Sequence, residues 1–209
     1  MRKLLALGSA IALLIACQPE LKYQISSGNQ VYLDDENCLI DQRYPIIKGV
    51  ADSMSASGLN QYFRTALHLE RYASDCLEDS SKERILVLGD YLVHSLSDSL
   101  ISIELIRSLK STKDTKPGRS YYPVTVKLPE IYNPPLDQFF GAKVYEKLLP
   151  KLESWAQGDS NRFYNEVAFR PGTHYAIPYC LSADSLILYP GAEGEFTALN
   201  RLAIALSDL

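Results

Sequence analysis

The sequence predicts an α+β fold, an antiparallel β-sheet packed against two main helices in a single domain. Three observations lead there. Apolar residues recur at three- and four-residue steps between Ser53 and Leu77, and again between Leu136 and Trp155, as on helices with one buried face. Between them, Ile101, Ile103 and Leu105 alternate with Leu100, Ser102 and Glu104, the period of a sheet with one buried face. The composition, 46% hydrophobic and 22% charged, supplies a core, and no low-complexity tract interrupts it.

The elements follow in order. Arg2 and Lys3 precede an apolar run from Leu4 to Ala16 that is too short to span a bilayer permanently, which is the pattern of a secretory signal. Its ending, Leu14-Ile15-Ala16-Cys17, resembles the lipobox of bacterial lipoproteins and implies cleavage before Cys17 and acylation of that residue. Residues 1–16 are then signal, 17–24 a lipidated tether and 25–209 the domain. Leu21 to Leu33 reads as two short strands around the turn cluster Ser26-Ser-Gly-Asn29. Cys38 to Ile47 is a further strand, and Pro45 places it at an edge or a strand end. Ser53 to about Leu77 is one helix, with His68 in its middle.

Arg84 to Ser95 and Leu100 to Arg107 form a hairpin across a Ser/Asp turn, and a strand near Tyr121 to Leu128 follows. The loop between them, with Lys113, Lys116 and Arg119, is the most cationic surface. Pro129 to Pro135 is a connection, and Leu136 to Trp155 is a helix that Pro150 kinks or splits. Three strands close the chain: 164–169, 185–189 and 201–206.

Charge and cysteines narrow the function classes. Arg2 and Lys3 leave with the signal, so 19 of 21 basic residues face 25 acids, a mature formal charge of −6. That balance is wrong for nucleic acid, which needs a basic face. With Cys17 acylated, Cys38, Cys76 and Cys180 remain, enough for one bridge and one leftover thiol. The favoured bridge is Cys38–Cys76, because Cys38 opens a strand and Cys76 closes the helix after it; the alternative is three reduced, buried thiols. No Cys/His spacing suits zinc, and no motif implies a cofactor.

The order of elements, with Tyr44-Pro45, Leu59-Asn60, Leu100-Ile-Ser-Ile103, Gly118, Tyr121-Tyr122, Leu136-Asp-Gln-Phe139 and Ala183-Asp-Ser-Leu-Ile-Leu-Tyr189, is similar to a known family. It resembles the extracytoplasmic domains of the anti-sigma factor RsiV and of the region ahead of the catalytic domain in the deacetylase PdaC. The likeness runs from about Tyr44 to Leu209. It implies a cell-envelope domain, of a kind that in RsiV binds lysozyme. Where that family often has Gly-x-x-His, this chain reads Pro117-Gly-Arg-Ser-Tyr121. It has no cytoplasmic anti-sigma segment, so the RsiV signalling route is not expected.

Motifs for chemistry are sparse. No Gly-x-Ser-x-Gly, Walker A, Gly-x-Gly-x-x-Gly or His-Glu-x-x-His is present. His68 and His94 read as surface or satisfied structural residues, and a Cys180/His174 nucleophile pair lacks an accompanying oxyanion motif. Fourteen tyrosines are many for this length, and tyrosine suits contact surfaces, although half-buried sheets also use it. The expected ligand face combines Arg119, Tyr121, Tyr122, His174, Tyr175 and Tyr179. The expectation is a non-catalytic binding domain, lipid-anchored in the envelope, with a lysozyme-like protein or cell-wall glycan as partner. Gln18 after Cys17 is not the Asp of inner-membrane retention, which favours an outer membrane where the cell has one. The alternatives are a hydrolase of envelope polymers working through His174 and a structural lipoprotein.

Overall fold

The computed structural model describes residues 22–49, 53–78, 84–114, 116–160, 162, 178–190 and 201–209. The signal, Cys17, the strand expected at 164–169, His174 and Tyr175 lie outside the described residues. In chain order the elements are β1 (Gln24–Asp34), β2 (Cys38–Lys48), α1 (Ser53–Thr65), α2 (Arg71–Glu78), β3 (Ile85–Leu96), β4 (Leu100–Ser111) and β5 (Gly118–Lys127). Then come α3 (Asp137–Phe140), α4 (Val144–Gln157), β6 (Tyr179–Leu181), β7 (Ser185–Leu188), β8 (Leu202–Ala205) and a 3-10 turn, Leu206–Asp208. The α+β class holds, with one addition: the described residues form two sheets, a five-stranded one ordered β1-β2-β3-β4-β5 and a three-stranded one ordered β6-β7-β8.

The turn expected at Ser26–Asn29 is absent: β1 runs through these residues, paired with β2 from Gln24↔Lys48 to Asp34↔Leu39. Gly28 serves a close approach instead. It sits opposite Tyr44, and a Cβ there would lie 2.5 Å from the Tyr44 ring. β2 then pairs with β3 in parallel over five residues only, Cys38↔Ile85 to Gln42↔Gly89; every other pair in the two sheets is antiparallel. Past Gln42 one side of β2 has no strand partner among the described residues. Asn60 of α1 fills the place: its side chain accepts from Ile47 N–H at 2.8 Å and donates to Ile47 C=O at 3.1 Å. Pro45 lies two residues earlier on that same side, where its missing N–H breaks no ladder bond.

The single helix expected from Ser53 to Leu77 is two helices, with a turn over residues 66–70. Leu67 and Leu69 are both buried, yet on a continuous helix residues two apart point about 200° from one another. His68 takes a left-handed φ of 50° and so turns both leucines inward; it therefore sits in a turn and not in a helix. Gly89 of β3 receives them, since a Cβ there would lie 3.0 Å from Leu69 and 2.7 Å from Gln42. The second expected helix also divides, at Gly141 with φ 79°, while Pro150 stays inside α4 without ending it.

Three apolar clusters define the layers. α1, the 66–70 turn and α2 cover one face of the large sheet through Leu59, Phe63, Leu67 and Leu69 against Ile40, Ile101, Ile103 and Leu105. α4 covers the outer face of the small sheet through Val144, Leu148 and Leu152 against Leu181, Leu186 and Leu188. Between the sheets lie Tyr121, Ile106, Cys180, Ile187 and Tyr189. β4 is consequently buried on both faces, where the alternation in the sequence suggested one.

Cys38 and Cys76 are disulfide-bonded, with Cα atoms 6.0 Å apart, and Cys180 is a free, buried thiol. The bridge closes a 38-residue separation, so replacing both cysteines by alanine is expected to cost about 3–4 kcal/mol in urea unfolding. Asn60→Ala leaves both Ile47 backbone groups unpaired and is expected to cost about 2 kcal/mol by the same measurement. An unchanged midpoint for Asn60→Ala would show that water serves Ile47 equally well.

Candidate functional site

The tyrosines expected to share a ligand face do not. Tyr121 and Tyr122 are adjacent on β5 and point to opposite sides of the sheet. Tyr121 is buried between the sheets beneath the Arg201 guanidinium, 5.6 Å from the ring centroid. Tyr122 lies on the helix side, where Arg107 stacks 5.6 Å from it and 5.1 Å from Tyr72. Tyr179 is buried on β6, its hydroxyl donating to Pro134 C=O at 2.6 Å. Of the expected face only Arg119 is exposed among the described residues.

The structure instead brings together a polar seam between the sheets that the alternation in β4 had placed in solvent. Ser102 and Thr125 form a directed chain of hydrogen bonds: Leu181 N–H donates to Ser102 Oγ, Ser102 lies 2.8 Å from Thr125 Oγ1, and Thr125 donates to Tyr179 C=O at 2.7 Å. Thr125 spends its hydrogen on Tyr179, so the proton between the two hydroxyls belongs to Ser102. Two backbone groups of β6 are thereby satisfied by hydroxyls of the large sheet.

One residue along β4 on this face, Glu104 is 1% exposed. Tyr189 donates its hydroxyl to Oε1, and His94 donates from Nε2 to Oε2 at 3.3 Å from the β-bulge between Val93 and Ser95. Arg201 Nη2 donates to Oε2 at 3.2 Å, while its Nε lies 3.2 Å from Oε1 off the hydrogen-bonding line and acts through charge. Burial alone would raise the Glu104 pKa, but the His94 and Tyr189 hydrogen bonds and the Arg201 charge outweigh it and hold the carboxyl below its usual range. The flanking Leu100 and Ile106, apolar on the supposedly wet face of β4, were the sequence signal for this second layer.

This arrangement locks the small sheet to the large one. Burial, and then the neighbouring Glu104 charge, push the Cys180 thiol up to about 12, and its Sγ donates to Ile103 C=O at 3.4 Å. A protonated, fully buried thiol does not act as a nucleophile. Among the described residues no cluster of His, Cys, Asp and Glu could hold a metal ion, and no helix is long and apolar enough to cross a membrane.

An open concavity lined by charged side chains lies at one end of the large sheet. It is a groove of 330 Å³ lined by Arg84, Leu86, Lys110, Ser111, Thr112 and Asp114. Lys113, Lys116 and Arg119 are exposed around the same β4–β5 connection. Register places this end opposite the one where β1 begins, since Ile85 pairs with Ser111 while Gln24 pairs with Lys48.

Because the Glu104 pKa is depressed in the folded state, its contribution is present above the unfolded value and is lost as pH falls through the folded one. Glu104→Gln is therefore expected to destabilise at pH 7 by about 2–3 kcal/mol, less than a fully buried pair because Arg201 is 34% exposed. The gap between variant and parent should close on acidification below about pH 4. A gap that persists at pH 2 would mean the loss is one of packing.

No family model matches the sequence, and no curated protein matches it either. Solved structures of DUF3298 family proteins are similar to it. One, from Bacteroides fragilis, has 14% identity and a TM-score of 0.50, covering 88% of this chain and 89% of its own. Another, from Pseudomonas aeruginosa PAO1, has 10% identity and a TM-score of 0.49, covering 90% of each chain. At the identity of the Bacteroides protein the likeness is one of fold: the structural neighbours of this chain are DUF3298 family proteins.

Proposed function

We propose that this chain is a non-catalytic recognition domain of the bacterial envelope, held on a membrane by acylated Cys17 and binding cell-wall glycan. The observation that carries the reading is the place of the basic groove. Arg84 and Lys110 line it at the end of the sheet opposite the one from which the N-terminus leaves. A tethered domain thus holds its cationic concavity away from the anchor, where a wall polymer bearing carboxylates is within reach. The Cys38–Cys76 disulfide supports export, because such bonds persist outside the reducing cytosol. The resemblance to RsiV and PdaC-type extracytoplasmic domains points to the same compartment, and Gln18 favours an outer membrane where one exists.

A second reading has its own observation. The mature formal charge of −6 suits a cationic protein such as a lysozyme, which would be drawn to the acidic remainder of the surface.

Sedimentation of the mature chain with purified peptidoglycan, beside capture by immobilised lysozyme, separates the two. On the first reading, exchanging Arg84, Lys110 and Arg119 for glutamine lowers glycan binding on the order of tenfold while the melting temperature holds. Lysozyme binding that these exchanges leave untouched would transfer the function to the second reading. Binding to neither would end the recognition reading and leave hydrolysis or a purely structural role.

A further inference from the structure

We propose that the end of the large sheet from which the N-terminus leaves is a membrane-docking face, which seats the domain upright on an anionic bilayer. This rests on the Cys17 anchor of the preceding reading.

Register fixes which residues share that end. Gln24 pairs with Lys48, Leu96 with Ile101 and Leu100 with Lys127, so the start of β1, the end of β2, the β3–β4 turn and the end of β5 lie level. Lys22 is pinned there by its backbone N–H, which donates to Asp98 of the β3–β4 turn at 2.8 Å. Lys22, Lys48 and Lys127 are all exposed. Tyr132 joins them through its bridge to Lys127, whose ammonium lies 5.8 Å from the ring centroid, and the ring side of this pair is 36% exposed. α1 also begins at this end. Asn60 is level with Ile47, so Met54, six residues earlier, stands about 9 Å nearer the tether along the helix, and it is 83% exposed. Acids among the described residues near these groups are Asp98, which accepts from Lys22, Glu130, and Asp137 next to Gln138, to which Tyr132 donates.

The occupant follows from the length of the tether. The five residue steps from Cys17 to Lys22 reach at most about 18 Å when fully extended. An acylated Cys17 lies in the lipid headgroup region, so this end cannot leave the neighbourhood of the bilayer. Three ammonium groups meet anionic headgroups there, and a thioether and a phenol suit the interface between water and acyl chains. The chemistry recognised is an anionic phospholipid surface.

Amine-reactive labelling of the mature chain, read lysine by lysine by mass spectrometry, tests the proposal. The chain is compared in phosphatidylcholine–phosphatidylglycerol vesicles and in detergent micelles. Lys22, Lys48 and Lys127 are expected to label about fivefold or more slowly in vesicles, while Lys110, Lys113 and Lys116 at the far end label at equal rates. Lys48→Gln with Lys127→Gln should return Lys22 to its micelle rate, because each lysine near an anionic surface contributes a factor of about five. Intact mass reports acylation separately. An unacylated chain would overturn the anchor reading and this one with it. An acylated chain with equal rates at both ends overturns docking alone. Slow labelling that persists in micelles would assign the face to another protein surface, such as a second copy, and overturns it too.

Discussion

The stacking of the two sheets depends on the partners found for Ser102, Thr125 and Glu104, polar side chains of the large sheet enclosed between them. Ser102, Glu104 and Thr125 project from the large sheet into a space otherwise filled by Ile106, Tyr121, Cys180, Ile187 and Tyr189. A buried hydroxyl without a partner costs on the order of 1–3 kcal/mol, and an unpaired carboxylate costs more. The seam avoids both costs by exchange. β6 presents one carbonyl and one amide to the hydroxyls, while Tyr189, His94 and Arg201 enclose the carboxylate. The partners come from β3, β6, the residue after β7 and the residue before β8, so the seam also fixes how the small sheet sits. A one-residue slip of β6 would turn Tyr179 and Leu181 away from their hydroxyls and break the chain of donors.

The same seam explains what the sequence could and could not reveal. The faces turned to the helix layer were legible: the apolar face of α1, the inner face of α4 and the face of the β3–β4 hairpin that carries Ile101, Ile103 and Leu105. Ser102 and Glu104 misled because alternation reports polarity, and polarity becomes burial once a second layer supplies partners. Tyr121 and Tyr122 misled for the complementary reason: adjacency in sequence is opposition across a strand. Gly28 reads as a turn residue in sequence because composition does not distinguish a glycine that bends the chain from one that makes room for Tyr44. The break at His68 had no glycine or proline to announce it. It follows from the need to bury Leu67 and Leu69 together, which is a tertiary demand. The candidate groove was half visible: Lys110 to Asp114 begin the cationic loop that continues to Lys116 and Arg119, whereas Arg84, just ahead of β3, is distant in sequence.

The large sheet has one thin joint. β2 and β3 meet in parallel over five residue pairs, whereas β3 and β4 share eleven, so the link between the two antiparallel halves has the fewest ladder bonds. Two devices act on it from opposite ends of the helical crossover. The disulfide ties Cys76 of α2 to Cys38, where the parallel pairing starts, and Asn60 ties α1 to Ile47, beyond where it stops. The crossover is thereby pinned near both ends of β2. Between the pins the 66–70 turn is pressed onto Gly89, opposite Gln42 at the last parallel pair, and Gln42 itself donates to Phe63 C=O at 3.3 Å.

Stiffness of that joint bears on how the proposed activity would work. β4 carries twelve residues, about 36 Å from end to end, and it is the strand that both sheets grip. A groove fixed at its far end keeps a set height above whatever surface holds its near end. If β1 and β2 could swing against β3, the tether at Lys22 would not determine the direction of Arg84 and Lys110, and the groove would sweep a wide arc. With β2 clamped to the crossover and the crossover to β3, the start of β1 and the groove are held in fixed relation. An orientation imposed at the end where β1 begins, as the docking proposal has it, would then be transmitted to the groove. Reach toward the wall, on this argument, is a property of the strand length and the two clamps more than of the groove itself.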